Sequence, residues 1–317
     1  MAEPSKIDGV LVQWGERLFY PHNRIVKVAP QPRLARNLAQ RAALIRSRIE
    51  ATVVRRAPQV MVKVTGGGRG MKAITAHFRY ISKNGRLDIE DEQGQVSRGR
   101  DAVRELAEEW RYGGTLIDDI SHRREAFNII LSMPRGTDPL SILRSAREFA
   151  QAELADHKFV MVLHHHQANP HVHISVRAES KHGRRLSPRK ADLHRWRETF
   201  AEKLRGWGID AEASRQASRG VDRNYPSLWR QKAAAEGRER HPRPERKTGS
   251  SAITSRKDAG VAWANVFAAL RAFESATDRA SAAAIERWVR ERSVIRDLGN
   301  RPVERALEPR PGIEPTR

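Results

Sequence analysis

VMVLHHHQANPHVHISVR, residues 160–177, carries five histidines within ten residues of a strand-like run. Phe159–His165 and His171–Arg177 are both rich in strand formers, and Gln167–Pro170 between them has turn composition. The two segments are expected to pair as antiparallel strands. His171 and His173 are two residues apart, so both fall on one face. Val172, Ile174 and Val176 fall on the other, toward a core. The preceding strand can bring His164 or His166 beside the pair, and spacing alone leaves both open. His165 should face away. One histidine on a polar strand face would carry no meaning, but three in H-x6-H-x-H spacing on paired strands can converge on a divalent cation. Three neutral ligands would leave the ion's charge free to polarise a phosphoryl oxygen. Imidazoles favour Mn, Zn or Fe over Mg by affinity, and cellular availability can reverse that order. Mg or Mn is the expected ion, with Zn a further candidate.

Working outward, the 317 residues hold 59 Lys plus Arg against 38 Asp plus Glu, a net charge of +21. An excess of that size, spread along the chain, makes a polyanion the expected partner, nucleic acid first. The chain has no cysteine, which excludes disulfides, zinc fingers and thiol catalysis. No apolar run approaches the ~20 residues of a membrane helix, and MAEPSKIDGV lacks the apolar core of a signal peptide. A cytoplasmic protein without membrane insertion is the expectation.

An ion that polarises a phosphodiester still needs an attacking group. There are four tyrosines, Tyr20, Tyr80, Tyr112 and Tyr225. Tyr80 lies in HFRYISKNGR (77–86), on a helix expected from Met71 to about Asn84, beside an apolar stripe of Ile74, Phe78 and Ile81. Arg79, Lys83 and Arg86 flank it and would attract phosphate. A free phenol titrates near ~10, so a phenol nucleophile needs activation. A half-buried aromatic packed on the sheet explains the same local sequence. Asp88, Glu90 and Asp91 follow and are candidates for the general base, or solvated charges on a hairpin.

The remaining pattern gives an α+β fold, an antiparallel sheet of about five strands flanked by helices. Val60, Val62 and Val64 alternate in one strand, and Phe127, Ile129, Leu131 and Met133 in another. Residues 86–97 suggest a short hairpin. Helices are expected over 101–112, from Asp138-Pro139 to about 155, and from Ser187-Pro188 to about Gly206. Trp196 and Trp207 on the last helix are expected in the core rather than as base-stacking platforms. The GGGRG run (66–70) either lets backbone N–H groups reach a phosphate or makes a flexible turn. Arg69, Lys72, Arg79, Lys83, Arg177, Arg184 and Arg185 are candidate DNA contacts, with Lys181, Arg189 and Lys190 nearby. Residues 1–57 are expected to form a basic N-terminal arm, with a short hairpin within Val10–Lys27 and helix within 31–57. A catalytic domain is expected over 58–225, a basic linker over 226–258, and a helical segment with a disordered tail over 259–317. Val261, Val266, Phe267, Leu270 and Phe273 would form the apolar face of that helix.

TAHFRYISKNG (75–85) resembles the tyrosine motif of plasmid mobilization relaxases of the T-DNA border-nicking type, within the HUH endonucleases. HHHQANPHVHISVR (164–177) resembles the histidine motif of the same family. The strand and PRGT of 127–137, the motif spacing and the helix after 188 are also similar, over roughly 59–222. Tyrosine before histidines is the relaxase order, whereas rolling-circle initiators place the histidines first. The resemblance implies a HUH-like fold and a metal-dependent transesterase. Such an enzyme nicks single-stranded DNA at an origin of transfer, forms a 5′-phosphotyrosine link and can rejoin the strand. It implies Tyr80 as nucleophile and His164, His171 and His173 as metal ligands, with His166 as a supporting residue or alternative ligand. The family often has Asp where this chain has His166, which bears on metal preference. Accessory and coupling proteins of a transfer complex are implied partners. A rolling-circle initiator, or a non-enzymatic DNA-binding accessory protein, are the alternatives.

Overall fold

The computed structural model describes residues 4–20, 37–166, 169–224, 233–238, 244–273 and 275–291. They form two compact units. One is Arg56–Ala213; the other comprises the described parts of Met1–Pro21, Leu34–Arg55 and Ser214–Arg317.

The first unit holds β1 (Met61–Gly66), α3 (Met71–Ile81), β2 (Ile89–Asp91), β3 (Val96–Ser97), α4 (Arg100–Tyr112), β4 (Ala126–Ser132), α5 (Pro139–Glu153), β5 (His157–His164), β6 (His171–Ser180) and α6 (Lys190–Gly206). The strands form one six-stranded sheet in the order β1-β4-β6-β5-β2-β3, and every pairing is antiparallel. The count is six rather than about five, and β2 with β3 forms the short hairpin expected over 86–97.

Both faces of the sheet are covered, which is why β6 is buried almost throughout. On one face Ile129, Leu131, Met161, Val172, Ile174 and Val176 pack against Phe149 of α5 and Trp196 and Phe200 of α6. On the other, Val160 and Val162 pack against Ile74, Phe78 and Ile81 of α3 and Trp110 of α4. The rings of Phe78 and Trp110 meet edge to face at 4.9 Å. Asp138 caps α5 by accepting from the Ser141 N–H at 2.8 Å, with Pro139 at the first helical position where its missing N–H is harmless. Trp196 is buried as expected, but Trp207 is 41% exposed. Arg144 lies over the Trp207 ring, and the indole N–H donates to Glu148.

The GGGRG run is a close-packed turn. A Cβ on Gly67 would lie 2.1 Å from the Ala126 carbonyl oxygen. The Met71 and Lys72 N–H groups at the start of α3 donate to the Asp118 and Asp119 carbonyls at 2.9 and 3.2 Å. Those donors are therefore taken by protein rather than offered to a phosphate.

The second unit packs α1 (Pro4–Phe19), α2 (Leu38–Ile49), α7 (Ser250–Arg271) and α8 (Ala276–Glu291) around Leu11, Phe19, Ile45, Trp263, Val266, Leu270 and Trp288. Where the sequence suggested a hairpin from Val10, residues up to Phe19 are helix; residues 21–27 lie outside the described residues. Helix begins at Ser250, inside the expected linker, and the helical segment expected from residue 259 is broken after Arg271. Val261 is 53% exposed, so it is not part of that helix's buried face. The tail expected to be disordered lies, from 292 onward, outside the described residues.

Arg46 of α2 forks onto the carboxylate of Asp278 of α8 at 2.8 and 3.0 Å and reaches Asp8 of α1 at 2.9 Å. Asp278 is buried, so its removal strands a partly buried guanidinium. Asp278→Ala should destabilise this unit by about 1–3 kcal/mol. Urea unfolding followed by Trp fluorescence would measure it, and an unchanged midpoint would show that the fork contributes nothing. Among the described residues no helix is long and apolar enough to cross a membrane.

Candidate metal centre

The β5–β6 register pairs His164 directly with His171 and Val162 with His173. Directly paired residues share a face, so His164, His171 and His173 all project toward the α3 side. Their rings lie 4.5–5.1 Å apart, centroid to centroid. Their nearest nitrogens fall within 4.8 Å of one another, and all three residues are buried.

Hydrogen bonds fix which nitrogens are free. The Ile81 carbonyl, at the end of α3, lies 2.6 Å from His164 Nε2. A carbonyl only accepts, so Nε2 carries the proton and Nδ1 keeps its lone pair. The Asn169 carbonyl likewise lies 2.9 Å from His171 Nδ1, leaving Nε2 with the lone pair. The Asn169 side chain accepts from the Arg135 N–H at 3.1 Å, tying the turn before His171 to the turn after β4. His164 Nδ1 and His173 Nδ1 are buried without any hydrogen-bond partner. Such nitrogens are costly to bury unless something binds them, so the residues present fit a divalent cation. Burial, together with the neighbouring histidines, pushes His173 down to about 3. Burial also lowers His164. Both are therefore neutral near pH 7, the state in which imidazole ligates.

Tyr80 sits on the last turn of α3. Its ring is 6.3 Å from that of His173, edge to face, and the residue is 68% exposed. The half-buried packing aromatic is thereby set aside, because the phenol faces solvent beside the histidines. His164 grips the carbonyl of Ile81, the residue after Tyr80, so the trio and the tyrosine helix are fixed to one another. Tyr112 lies at the opposite end of the sheet face, and Tyr225 lies outside the described residues.

A fourth imidazole stands close by. His77, one helical turn before Tyr80, has its ring 6.1 Å from Tyr80 and 6.3 Å from His173. Its Nε2 is buried without a partner. Sequence reasoning passed over it, although an i, i+3 spacing to Tyr80 was the available signal. Burial pushes its pKa down to about 4. The folded state thus favours neutral His77, and the stability this gives is present above the unfolded value of ~6.5 and lost as pH falls toward 4. In metal-free protein, His77→Gln should remove about 1–3 kcal/mol of that acid loss. Urea midpoints at pH 7, 5 and 4 in chelator would measure it. Equal acid sensitivity in variant and wild type would place the loss elsewhere.

The other expected site residues divide by position. Arg79, Lys83 and Arg86 are exposed at or just beyond the Tyr80 end of α3, and His166 is exposed with its ring 5.1 Å from His164. Arg69 and Lys72 lie at the opposite end of α3, and Arg69 donates to the His122 carbonyl. β6 runs ten residues, about 30 Å, so Arg184 and Arg185 lie far from the trio. Arg185 pairs with Glu125. Arg177 is a correction: it is 3% exposed and donates to the Trp110 and Thr115 carbonyls, so it braces the fold and cannot meet DNA. The three candidate bases are engaged elsewhere. Glu90 pairs with Met161, on the sheet face away from the trio, and is forked by Arg147 at 2.6 and 2.8 Å. Asp91 caps its own turn, and Asp88 lies 3.7 Å from Arg98.

Tyr80 and the three convergent histidines lie in a stretch of the chain that is similar to known proteins. Residues 80–209 match the family model described as relaxase, MobA/VirD2-like, nuclease domain. Over those residues the chain is similar to relaxases of the MobA/VirD2-like type. The T-DNA border endonuclease VirD2 of Rhizobium radiobacter is 25% identical over 183 residues, which cover 51% of this chain and 43% of the relative. Its counterpart from Agrobacterium fabrum is also 25% identical over 183 residues, with 51% and 41% covered. The chain thus spans less than half the length of these curated relatives. A solved structure described as "Molecular Basis of Vancomycin Resistance Transfer in Staphylococcus aureus" is 14% identical, with a TM-score of 0.31, over 50% of this chain and 98% of its own. The relaxase match begins at Tyr80 itself and takes in all three histidines.

Proposed function

We propose that this protein nicks single-stranded DNA at an origin of transfer, for conjugative mobilization, with Tyr80 as nucleophile. The observation that carries the reading is an exposed phenol edge-on to His173, beside buried imidazole nitrogens that have no hydrogen-bond partner among the described residues. The relaxase match and the border endonucleases among the relatives support it.

Tyr80 Oη forms a bond to phosphorus while the bond from phosphorus to the 3′ oxygen breaks. The phenolic proton departs, and the leaving oxygen gains one to become a 3′ hydroxyl. The 5′ phosphate remains on the tyrosine. One phosphodiester is exchanged for another, so attack by the 3′ hydroxyl rejoins the strand. His164, His171 and His173 would hold the divalent cation, Mg or Mn, which supplies Lewis-acid polarisation of the phosphate. The Ile81 and Asn169 carbonyls orient two of these rings and raise their basicity. Arg79, Lys83 and Arg86 attract the DNA backbone and offset charge growing on the phosphate. Strand separation and delivery would fall to accessory and coupling proteins, in the cytoplasm.

The test is a covalent-adduct assay on labelled single-stranded DNA from an adjoining transfer origin. A protein–DNA band that survives denaturant, forms with Mg or Mn and disappears with chelator is the expected result. Tight binding with no adduct, under conditions in which a known relaxase forms one, would instead indicate a non-enzymatic DNA-binding accessory.

A further inference from the structure

A histidine that holds an ion through one ring nitrogen keeps its proton on the other. That N–H is almost always given to an acceptor, which fixes both the tautomer and the ring. Two of the three candidate ligands have one. His164 Nε2–H donates to the Ile81 carbonyl, and His171 Nδ1–H to the Asn169 carbonyl. His173 differs. Its Nδ1 is buried with no hydrogen-bond partner among the described residues.

Position along the strands explains the difference. His164 is the last residue of β5 and His171 the first of β6, so carbonyls of a helix end and a turn can reach them. His173 lies inside β6 with a paired strand on each side, opposite Ile130 of β4 and Val162 of β5. The backbone carbonyls around it are engaged in the two ladders. An acceptor for its outer nitrogen therefore has to be a side chain above the sheet, and α3 covers this face.

His77 of α3 supplies that side chain. Its ring stands 6.3 Å from the ring of His173, centroid to centroid, at 71°. Its Nε2 is likewise buried with no hydrogen-bond partner among the described residues. A neutral imidazole has one donor and one acceptor nitrogen, so each ring can provide what the other lacks. One hydrogen bond, closed by a turn of the His77 ring or bridged by a single water, satisfies both nitrogens.

We infer that His77 is the positioning residue for the third metal ligand: its Nε2 accepts from His173 Nδ1–H and leaves His173 Nε2 to face the ion. This rests on the reading of the trio as a metal centre. The nucleophile is drawn into the same arrangement. α3 then holds two of the three ligands, His173 through His77 and His164 through the Ile81 carbonyl. Tyr80 lies between those anchors, one turn after His77 and one residue before Ile81. The His77 ring also lies 6.1 Å from that of Tyr80, at 30°. An ion seated on the trio is thereby tied to the helical turn that carries the phenol.

The experiment uses the full chain without DNA, and Mn or Zn alone as the probe. Titration calorimetry gives the Mn affinity of wild type, His77→Phe and His77→Gln. His122→Phe, at an exposed histidine beside Arg69, is the control. His77→Phe keeps a ring but offers no acceptor, and should weaken Mn binding by ~10- to 100-fold. His77→Gln restores an acceptor oxygen and should recover most of that loss. His122→Phe should bind as wild type does. Nitrogen NMR of the histidines in the Zn-loaded protein reads the tautomer directly. Wild-type His173 should carry its proton on Nδ1, in slow exchange with solvent, and His77→Phe should lose the slow exchange. Thermal unfolding in chelator separates an effect on folding. His77→Phe should be no less stable than wild type there, because an orphaned nitrogen has been removed. If His77→Phe nevertheless unfolds early, His77→Gln and the wild-type tautomer decide the matter. Unchanged Mn affinity in His77→Phe, an equal loss in His77→Gln, or a His173 proton on Nε2 would overturn the inference and leave the metal centre standing. Wild type that binds neither ion would refute the metal centre, and this role of His77 with it.

Discussion

Tyr80→Phe is expected to abolish the covalent protein–DNA adduct and to lower strand cleavage by ~10³-fold or more, the scale seen when a nucleophile is removed. The change deletes one oxygen from a side chain that is 68% exposed. No packing is lost and no buried partner is stranded, so stability should stay within about 0.5 kcal/mol of wild type. DNA affinity should also be retained, because Arg79, Lys83 and Arg86 are untouched. The distinctive result is therefore loss of adduct with binding and folding intact. If Tyr80→Phe still formed the adduct, another group would be the nucleophile. Tyr225 would then be the first to replace.

The second large effect concerns His173. Its Nδ1 is buried without a partner, and burial holds the ring neutral. In the metal-free protein that nitrogen is a cost, of the order of 1–3 kcal/mol for an unsatisfied buried polar group. His173→Phe keeps a ring and removes the nitrogens. Without metal the variant should be as stable as wild type or more so. With Mn at ~100 times its dissociation constant, wild type should gain about 2.7 kcal/mol by mass action, and the variant should gain almost nothing. The order of stability then inverts on adding metal. Thermal unfolding with chelator and with Mn would show the crossing. A purely structural role for the histidine predicts the opposite, a variant that is less stable in both conditions, and a wild type that ignores Mn.

Much of this was legible from local pattern. A two-residue period fixes the face of His171 and His173, and a tight turn between two strands fixes an antiparallel partner. That reasoning narrowed the third position to His164 or His166 but could not choose. The choice is made by register: His164 is the last residue of β5 and pairs with His171, whereas His166 lies beyond the strand end. The dual role of a basic residue was equally hidden. Arg177 and Lys83 look alike in sequence, yet one is sealed under the Trp110 and Thr115 carbonyls and the other stands free beside Tyr80. Charge is a property of composition, while exposure depends on which helix covers which strand. Glu90 misleads for a related reason. It follows the tyrosine helix closely, but its strand alternation turns it to the far face of the sheet.

The sequence by itself determined the α+β class, most of the strands and helices, the net positive charge, and the tyrosine and histidine motifs. These depend on periodicity, turn chemistry and net charge, all of which are short-range or additive. Only the tertiary structure decided that His164 completes the trio, that His77 stands beside Tyr80, that the GGGRG turn is spent on backbone packing, and that the leading helices belong with residues far along the chain. Each of these depends on strand register or on the docking of distant segments, and such contacts are selected by the whole core at once rather than by any local run of residues.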